Sequence, residues 1–215
     1  KLDLNVSVVE KNTGSATIGA GYGDQNGATL TAGISENNFL GKGQKVDFST
    51  SFSSTQNLYD ISITEPYFNR KDLMVRGDLY SRYNDPTNVK YETETIGLGF
   101  SLGFPLSYKN RITTKYSLLS SKTKADADAT AYETLLAGTS TVSIVGYTLS
   151  IDNRNSPYKP NKGSIFNISQ NLAGIGGTSN YLENVVSYKI YKKLSNYVIG
   201  AIKSEFGAIN GYNGK

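Results

Sequence analysis

Ile96-Gly97-Leu98-Gly99-Phe100-Ser101-Leu102-Gly103-Phe104-Pro105 carries the plainest structural signal in the chain. Large apolar side chains fall on every second residue, and almost nothing but glycine stands between them. A period of two is the period of a strand, whose side chains point alternately to opposite faces. One face of this strand is therefore wholly apolar and the other nearly bare. Pro105 ends it, because proline has no N–H for a ladder.

The same alternation recurs to either side. Ile18, Ala20 and Tyr22 alternate with Thr17, Gly19, Gly21 and Gly23, and Ala28, Leu30, Ala32 and Ile34 follow after turn residues. Val46, Phe48, Thr50 and Phe52 alternate with Lys45, Asp47, Ser49 and Ser51. Tyr59, Ile61 and Ile63 do so with Asp60, Ser62 and Thr64, and Leu73, Val75, Gly77 and Leu79 with Met74, Arg76, Asp78 and Tyr80. Weaker alternation predicts strands at 111–120, 141–151, 164–172, 181–192 and 197–208. The Ala/Asp/Thr-rich stretch from Lys122 to Thr139 reads as a long surface loop, and Gly174 to Gly177 as a hairpin turn. No helical periodicity is evident. Segments about ten residues long, alternating and separated by turns, are the signature of a transmembrane β-barrel.

Composition agrees. The 215 residues include 22 Gly and 16 Tyr but only 5 Pro, and only 38% are hydrophobic. A mean hydropathy of −0.36 is compatible with a membrane wall, because barrel strands hide their apolar half in alternation. No stretch is apolar for long enough to make a spanning helix. Cysteine and histidine are both absent, which removes thiolate sites, the usual imidazole base and the commonest metal ligand. No catalytic constellation, cofactor or metal site is expected; Asp126 and Asp128 lack the companions of a calcium loop. Lysines and arginines, in net excess by +4, are scattered and form no nucleic-acid stripe. The fold expected is all-β: an incomplete antiparallel transmembrane barrel of about eleven strands. Such a sheet is not closed, and the turn chemistry of Asn210 to Lys215 supplies no further strand.

Several motifs carry a resemblance. Asn12-Thr13-Gly14-Ser15 is followed by Gly19-Ala20-Gly21-Tyr22-Gly23, then by Asn37-Asn38-Phe39-Leu40-Gly41-Lys42-Gly43 and Glu65-Pro66-Tyr67-Phe68. Asp152-Asn153-Arg154 comes last, with Pro157-Tyr158 and Pro160-Asn161-Lys162-Gly163. In order and spacing this resembles the BamA-type barrel-assembly factors of the bacterial surface antigen superfamily. The resemblance implies a sixteen-stranded barrel preceded by polypeptide-transport-associated (POTRA) domains. It makes residues 1–11 the end of the last such domain, with Leu2 to Glu10 as its last strand, and 12–215 the N-terminal part of the barrel. The family's Arg-Gly-Phe loop motif has no counterpart here. Also implied are the outer membrane of a Gram-negative-type bacterium, unfolded outer-membrane protein precursors as clients, outer-membrane lipids, and accessory assembly lipoproteins. Nucleic acid is not a partner.

The site implied by the resemblance is a lateral gate on the first barrel strand: Thr13, Ser15, Thr17, Ile18, Gly19, Ala20, Gly21 and Tyr22. The residues themselves leave two readings. A strand with glycine on one face is weak and opens at modest cost, or the glycines only let the wall curve or leave room for a lumen loop. Gly97, Gly99 and Gly103 are equally bare yet lie mid-chain, where close approach of a lumen element is the expectation. Asp152 and Arg154 form a lumen-side ion pair that holds a loop, or a solvated turn; turn structure is favoured. Alternatives for the whole are a passive porin, with Arg76, Asp78 and Lys115 setting selectivity, a two-partner secretion translocator, and a soluble β-sandwich adhesin.

Overall fold

Ile96 to Phe104 lie inside a long strand whose neighbours repeat its pattern in register. The computed structural model describes residues 11–24 and 26–212. Its first six strands are β1 (Gly14–Gly23), β2 (Gly27–Phe39), β3 (Gln44–Ser53), β4 (Gln56–Glu65), β5 (Met74–Asn84) and β6 (Tyr91–Pro105). Five more follow: β7 (Asn110–Ala125), β8 (Gly138–Asp152), β9 (Lys162–Ala173), β10 (Tyr181–Lys193) and β11 (Ile199–Gly211). They form one sheet in chain order, each strand antiparallel to the next, with β1 and β11 as its edges. The expected leading strand, Leu2 to Glu10, lies outside the described residues.

Register turns the one-strand pattern into a surface. Ile61 pairs with Leu79, Leu79 with Leu98, and Leu98 with Leu118. One step along, Phe100, Tyr116, Val145, Leu172 and Leu182 make a second row across five strands. These side chains stay in the open: Leu79 is 53% and Phe100 47% exposed, and Ala173 is the one buried hydrophobic residue among those described. A water-soluble sandwich would cover such rows with a second layer, whereas a membrane wall turns them to lipid. Moving one Leu or Phe side chain out of water is worth about 2 kcal/mol, so the bilayer supplies the stabilisation that a core supplies elsewhere. The opposite face carries Lys45, Asp47, Arg76 and Asp78, with ion pairs at 2.9 Å and 2.6 Å.

The bare glycine face of β6 is covered by the wall itself. Across the β5–β6 ladder the Tyr80 ring lies over Gly97 and Asp78 lies against Gly99, while Met74 and Thr113 flank Gly103. Arg82 in turn stacks on Tyr80, 4.6 Å from the ring centroid. Among the described residues it is neighbouring strands that fill the space at these glycines, as aromatic side chains do beside strand glycines.

The supposed long loop from Lys122 to Thr139 is also corrected, because its two ends are strand. β7 continues to Ala125, β8 starts at Gly138, and the connection contains a short helix, α1 (Ala131–Leu136). Its start is a capping box: Thr130 Oγ1 accepts from the Glu133 N–H, and the Glu133 carboxylate accepts from the Thr130 N–H at 2.8 Å. Such a box satisfies helix-end donors reciprocally. Glu133 also accepts from the Lys90 N–H at 2.8 Å, which ties the helix to the β5–β6 turn, and Asp128 pairs with Lys90 at 3.0 Å. Hydrogen bonds from the Thr130 hydroxyl and then the Lys90 amide hold the Glu133 carboxyl below its ordinary value. A depressed carboxyl contributes stability above its ordinary pKa and loses it as pH falls through the lowered one. Hydrogen exchange at the Lys90 amide is thus expected to be slow near neutrality and to lose its protection below the ordinary 4.5. Protection unchanged down to strong acid counts against this tie.

Gly174 to Gly177 does lie in the β9–β10 turn, as expected, and it has a further role. Gly174 and Thr178 donate to the Ser143 and Thr141 carbonyls at 3.0 Å and 2.7 Å, so the turn continues the ladder along β8 beyond the end of β9. At the other extreme of the chain, Asn210 and Gly211 belong to β11 rather than to a turn.

Candidate functional site

β1 is bonded to one neighbour, β2, from Gly14 opposite Glu36 to Gly23 opposite Gly27. The phase of this ladder follows from a single bond: the Asn37 N–H donates to the Thr13 carbonyl at 3.3 Å. In an antiparallel pair, directly opposite residues either exchange both bonds or none, alternately. Odd-numbered residues of β1 therefore turn their N–H and C=O groups toward β2. Gly14, Ala16, Ile18, Ala20 and Tyr22 turn theirs to the free edge. The expected site divides accordingly. Ile18, Ala20 and Tyr22 present backbone at the edge, whereas Thr13, Ser15, Thr17, Gly19 and Gly21 are engaged with β2. Gly14 and Ala16, which the sequence reading leaves out, join the edge set.

The side chains of the edge strand are little covered. Ile18 is 82% and Tyr22 83% exposed on the apolar face. On the polar face Thr31 fills the space beside Gly19 and donates to its carbonyl at 3.3 Å, but nothing lies within 4 Å of the position a Cβ would take on Gly21 or Gly23. Neither of those two glycines is held by packing, so the tip of the strand is thinly supported.

Its base is clamped. The Thr13 hydroxyl donates to Glu36, whose carboxylate also accepts from the Asn38 N–H at 2.8 Å, and Asn37 Nδ2 donates to the Thr13 carbonyl at 2.9 Å. A shift in the β2–β3 register between Glu36 and Phe39 places these groups, as a bulge re-aims side chains at a strand end. Sequence reasoning missed Glu36: it is 23 residues from Thr13, and only pairing brings them together.

Asp152 and Arg154 are brought together within one turn. Arg154 Nε and Nη2 donate to the two oxygens of Asp152 at 2.9 Å and 2.6 Å, and the Arg154 backbone N–H donates to Asp152 Oδ1 at 3.0 Å. A two-pronged guanidinium contact fixes orientation as well as distance. It is an ion pair that shapes the β8–β9 turn, and Nη1 reaches the Pro157 carbonyl at 3.4 Å.

Residues 38–215 match the family model of the Omp85 superfamily domain. The chain belongs to the Omp85 superfamily. Over 117 residues, 52% of this chain, it is 33% identical to the outer membrane protein assembly factor BamA of Neisseria meningitidis, and the aligned stretch is 15% of that protein. Over 93% of the chain it is 29% identical to BamA of Nitratidesulfovibrio vulgaris, covering 25% of it. It is 26% identical over 90% of its length to the sorting and assembly machinery component 50 homolog of Mus musculus, covering 41% of it. The crystal structure of BamA from Haemophilus ducreyi lacking POTRA domains 1–3 superposes with a TM-score of 0.75 at 26% identity, over 96% of this chain and 43% of that one. The chain thus spans a quarter or less of the length of the two BamA relatives. The sheet of this Omp85 chain is a fragment of a BamA-type barrel, with its apolar face to lipid and its polar face to the lumen.

The second edge of the Omp85 sheet obeys the same phase rule. Tyr212 donates its N–H to the Asn180 carbonyl at 3.2 Å and Leu194 to the Val198 carbonyl at 2.9 Å, so the odd-numbered residues of β11 point their backbone groups away from β10.

Proposed function

We propose that this Omp85 chain is the N-terminal part of the membrane barrel of an outer-membrane protein assembly factor in a Gram-negative-type bacterium. In this reading residues 1–11 end the last POTRA domain and 12–215 are barrel wall. The clients are unfolded outer-membrane protein precursors; outer-membrane lipids surround the wall, and accessory assembly lipoproteins act with it. The reading is supported by the assembly-factor relatives and by the phase of β1, which turns its even-numbered backbone groups away from β2. Any such group left without a strand partner in hydrocarbon costs several kcal/mol. An incoming strand satisfies such groups by β-augmentation. Backbone bonds supply the affinity, so no catalytic step, cofactor or nucleotide enters.

The assembly-factor relatives favour this reading over a passive channel lined by Arg76, Asp78 and Lys115. The location in a bacterium rests on the BamA relatives, since component 50 homologs also match. A photo-crosslinker at Ile18 or Ala20 of the full-length protein is expected to trap a folding client, and one at mid-wall Leu98 is not. Equal trapping at all three positions overturns the assignment.

A further inference from the structure

Lys162 and Lys192 stand directly opposite each other on β9 and β10. By strand parity both share the lipid-facing side with Phe166, Ile168, Tyr188 and Ile190, one step beyond the Ser164–Ile190 pair. They therefore sit at the rim of the apolar surface. Like charges opposed across a ladder are unfavourable, and the adjoining turns do not offset them. Those turns, 153–161 and 194–198, contain no Asp or Glu and add Lys159, with Lys193 at the end of β10. The acids nearest these turns in sequence are engaged, Asp152 with Arg154 and Glu205 with Lys203, each at 2.6 Å, and Glu183 of β10 accepts from Asn171 Nδ2. None of the four lysines is in an ion pair among the described residues. Tyr158 and Tyr197, 93% and 98% exposed, project from the same two turns.

We infer that Lys162 and Lys192 bind the phosphate of an anionic phospholipid headgroup, with Lys159 adding attraction and Tyr158 and Tyr197 marking headgroup level. Opposed Cα atoms are about 5 Å apart, and long flexible stems let both ammonium groups converge on one phosphodiester. An apolar surface of Ile190, Phe166 and Ile168 on the same face fits the acyl chains of the same molecule. That continuity selects a lipid over a free anion. Tyrosine rings at an interface complete a girdle. The inference rests on the reading that the wall spans a bilayer and does not depend on the gate.

The test uses the full-length protein reconstituted in phosphatidylcholine vesicles, with trace spin-labelled phosphatidylglycerol or spin-labelled phosphatidylcholine. The labelled phosphatidylglycerol is expected to be preferred at the protein surface by about fivefold, the effect of roughly one lysine near a charged membrane. Lys162→Gln/Lys192→Gln should bring the preference close to parity, and Lys162→Arg/Lys192→Arg should keep it. Inorganic phosphate should compete no better than chloride at equal ionic strength. No preference in the wild type, an unchanged preference in the Gln variant, or specific displacement by inorganic phosphate overturns the inference. Heat-modifiable migration of the folded barrel is scored in the same vesicles. A protein that fails to insert defeats the membrane reading, whereas an inserted protein without the preference defeats the lipid site alone.

Discussion

Gly163→Ala is expected to destabilise the protein by about 4 kcal/mol, combining backbone strain with overpacking. Gly163 has φ +100, where side chains are strained, and a Cβ there meets the Asn153 carbonyl oxygen and comes within 2.8 Å of Arg154 Cα. Both obstacles are backbone, so no rotamer change relieves them. The turn cannot yield easily either. Asn153 donates to the Ser164 carbonyl at 2.8 Å, Asn155 to the Lys162 carbonyl at 3.1 Å, and Arg154 is locked on Asp152. Set against a usual total of roughly 5–15 kcal/mol, a loss of this size removes much of the margin. Urea titration of the full-length protein in vesicles measures it. Gly41→Ala, also at positive φ but with open space around it, should cost less. Equal and small costs at both positions defeat the argument from backbone contact.

Ala20→Pro is expected to reduce client insertion at least about tenfold while the barrel still folds. The phase of the β1–β2 ladder points the Ala20 N–H to the free edge, so proline there deletes no bond to β2. Strand edges accept proline when its missing N–H faces outward. What disappears is one donor for an incoming strand, and the ring crowds the same edge. An unsatisfied partner group in lipid costs several kcal/mol, and each ~1.4 kcal/mol is a factor of ten. Gly19→Pro instead removes a β1–β2 bond and should weaken the strand itself. Insertion of a barrel client into vesicles, measured beside folding of the assembly factor, separates the two. Wild-type insertion by a folded Ala20→Pro protein ends the templating proposal.

Much of the wall is legible in the amino-acid order. Each strand expected within the described residues overlaps an observed one, because a side-chain period of two needs no knowledge of neighbours. Where alternation is diluted the expected strands come out short, as with Lys122, Thr123 and Lys124 near the end of β7. The capping box Thr130-x-x-Glu133 is also present in the sequence, but α1 is too short to show a period. The cover over Gly97 is not legible: the Tyr80 ring belongs to another strand, and register alone sets it there. The same holds for Glu36 beneath Thr13.

The bare glycines of the first strand show where the division falls. Amino-acid order is enough to put Gly19, Gly21 and Gly23 on one face of a strand and Ile18, Ala20 and Tyr22 on the other, since alternation is a local property of an extended backbone. Which backbone groups are free is a property of the assembled sheet. It is set by the phase of hydrogen bonding to β2, which depends on where two separate segments come into register, and side-chain chemistry along one strand does not encode it.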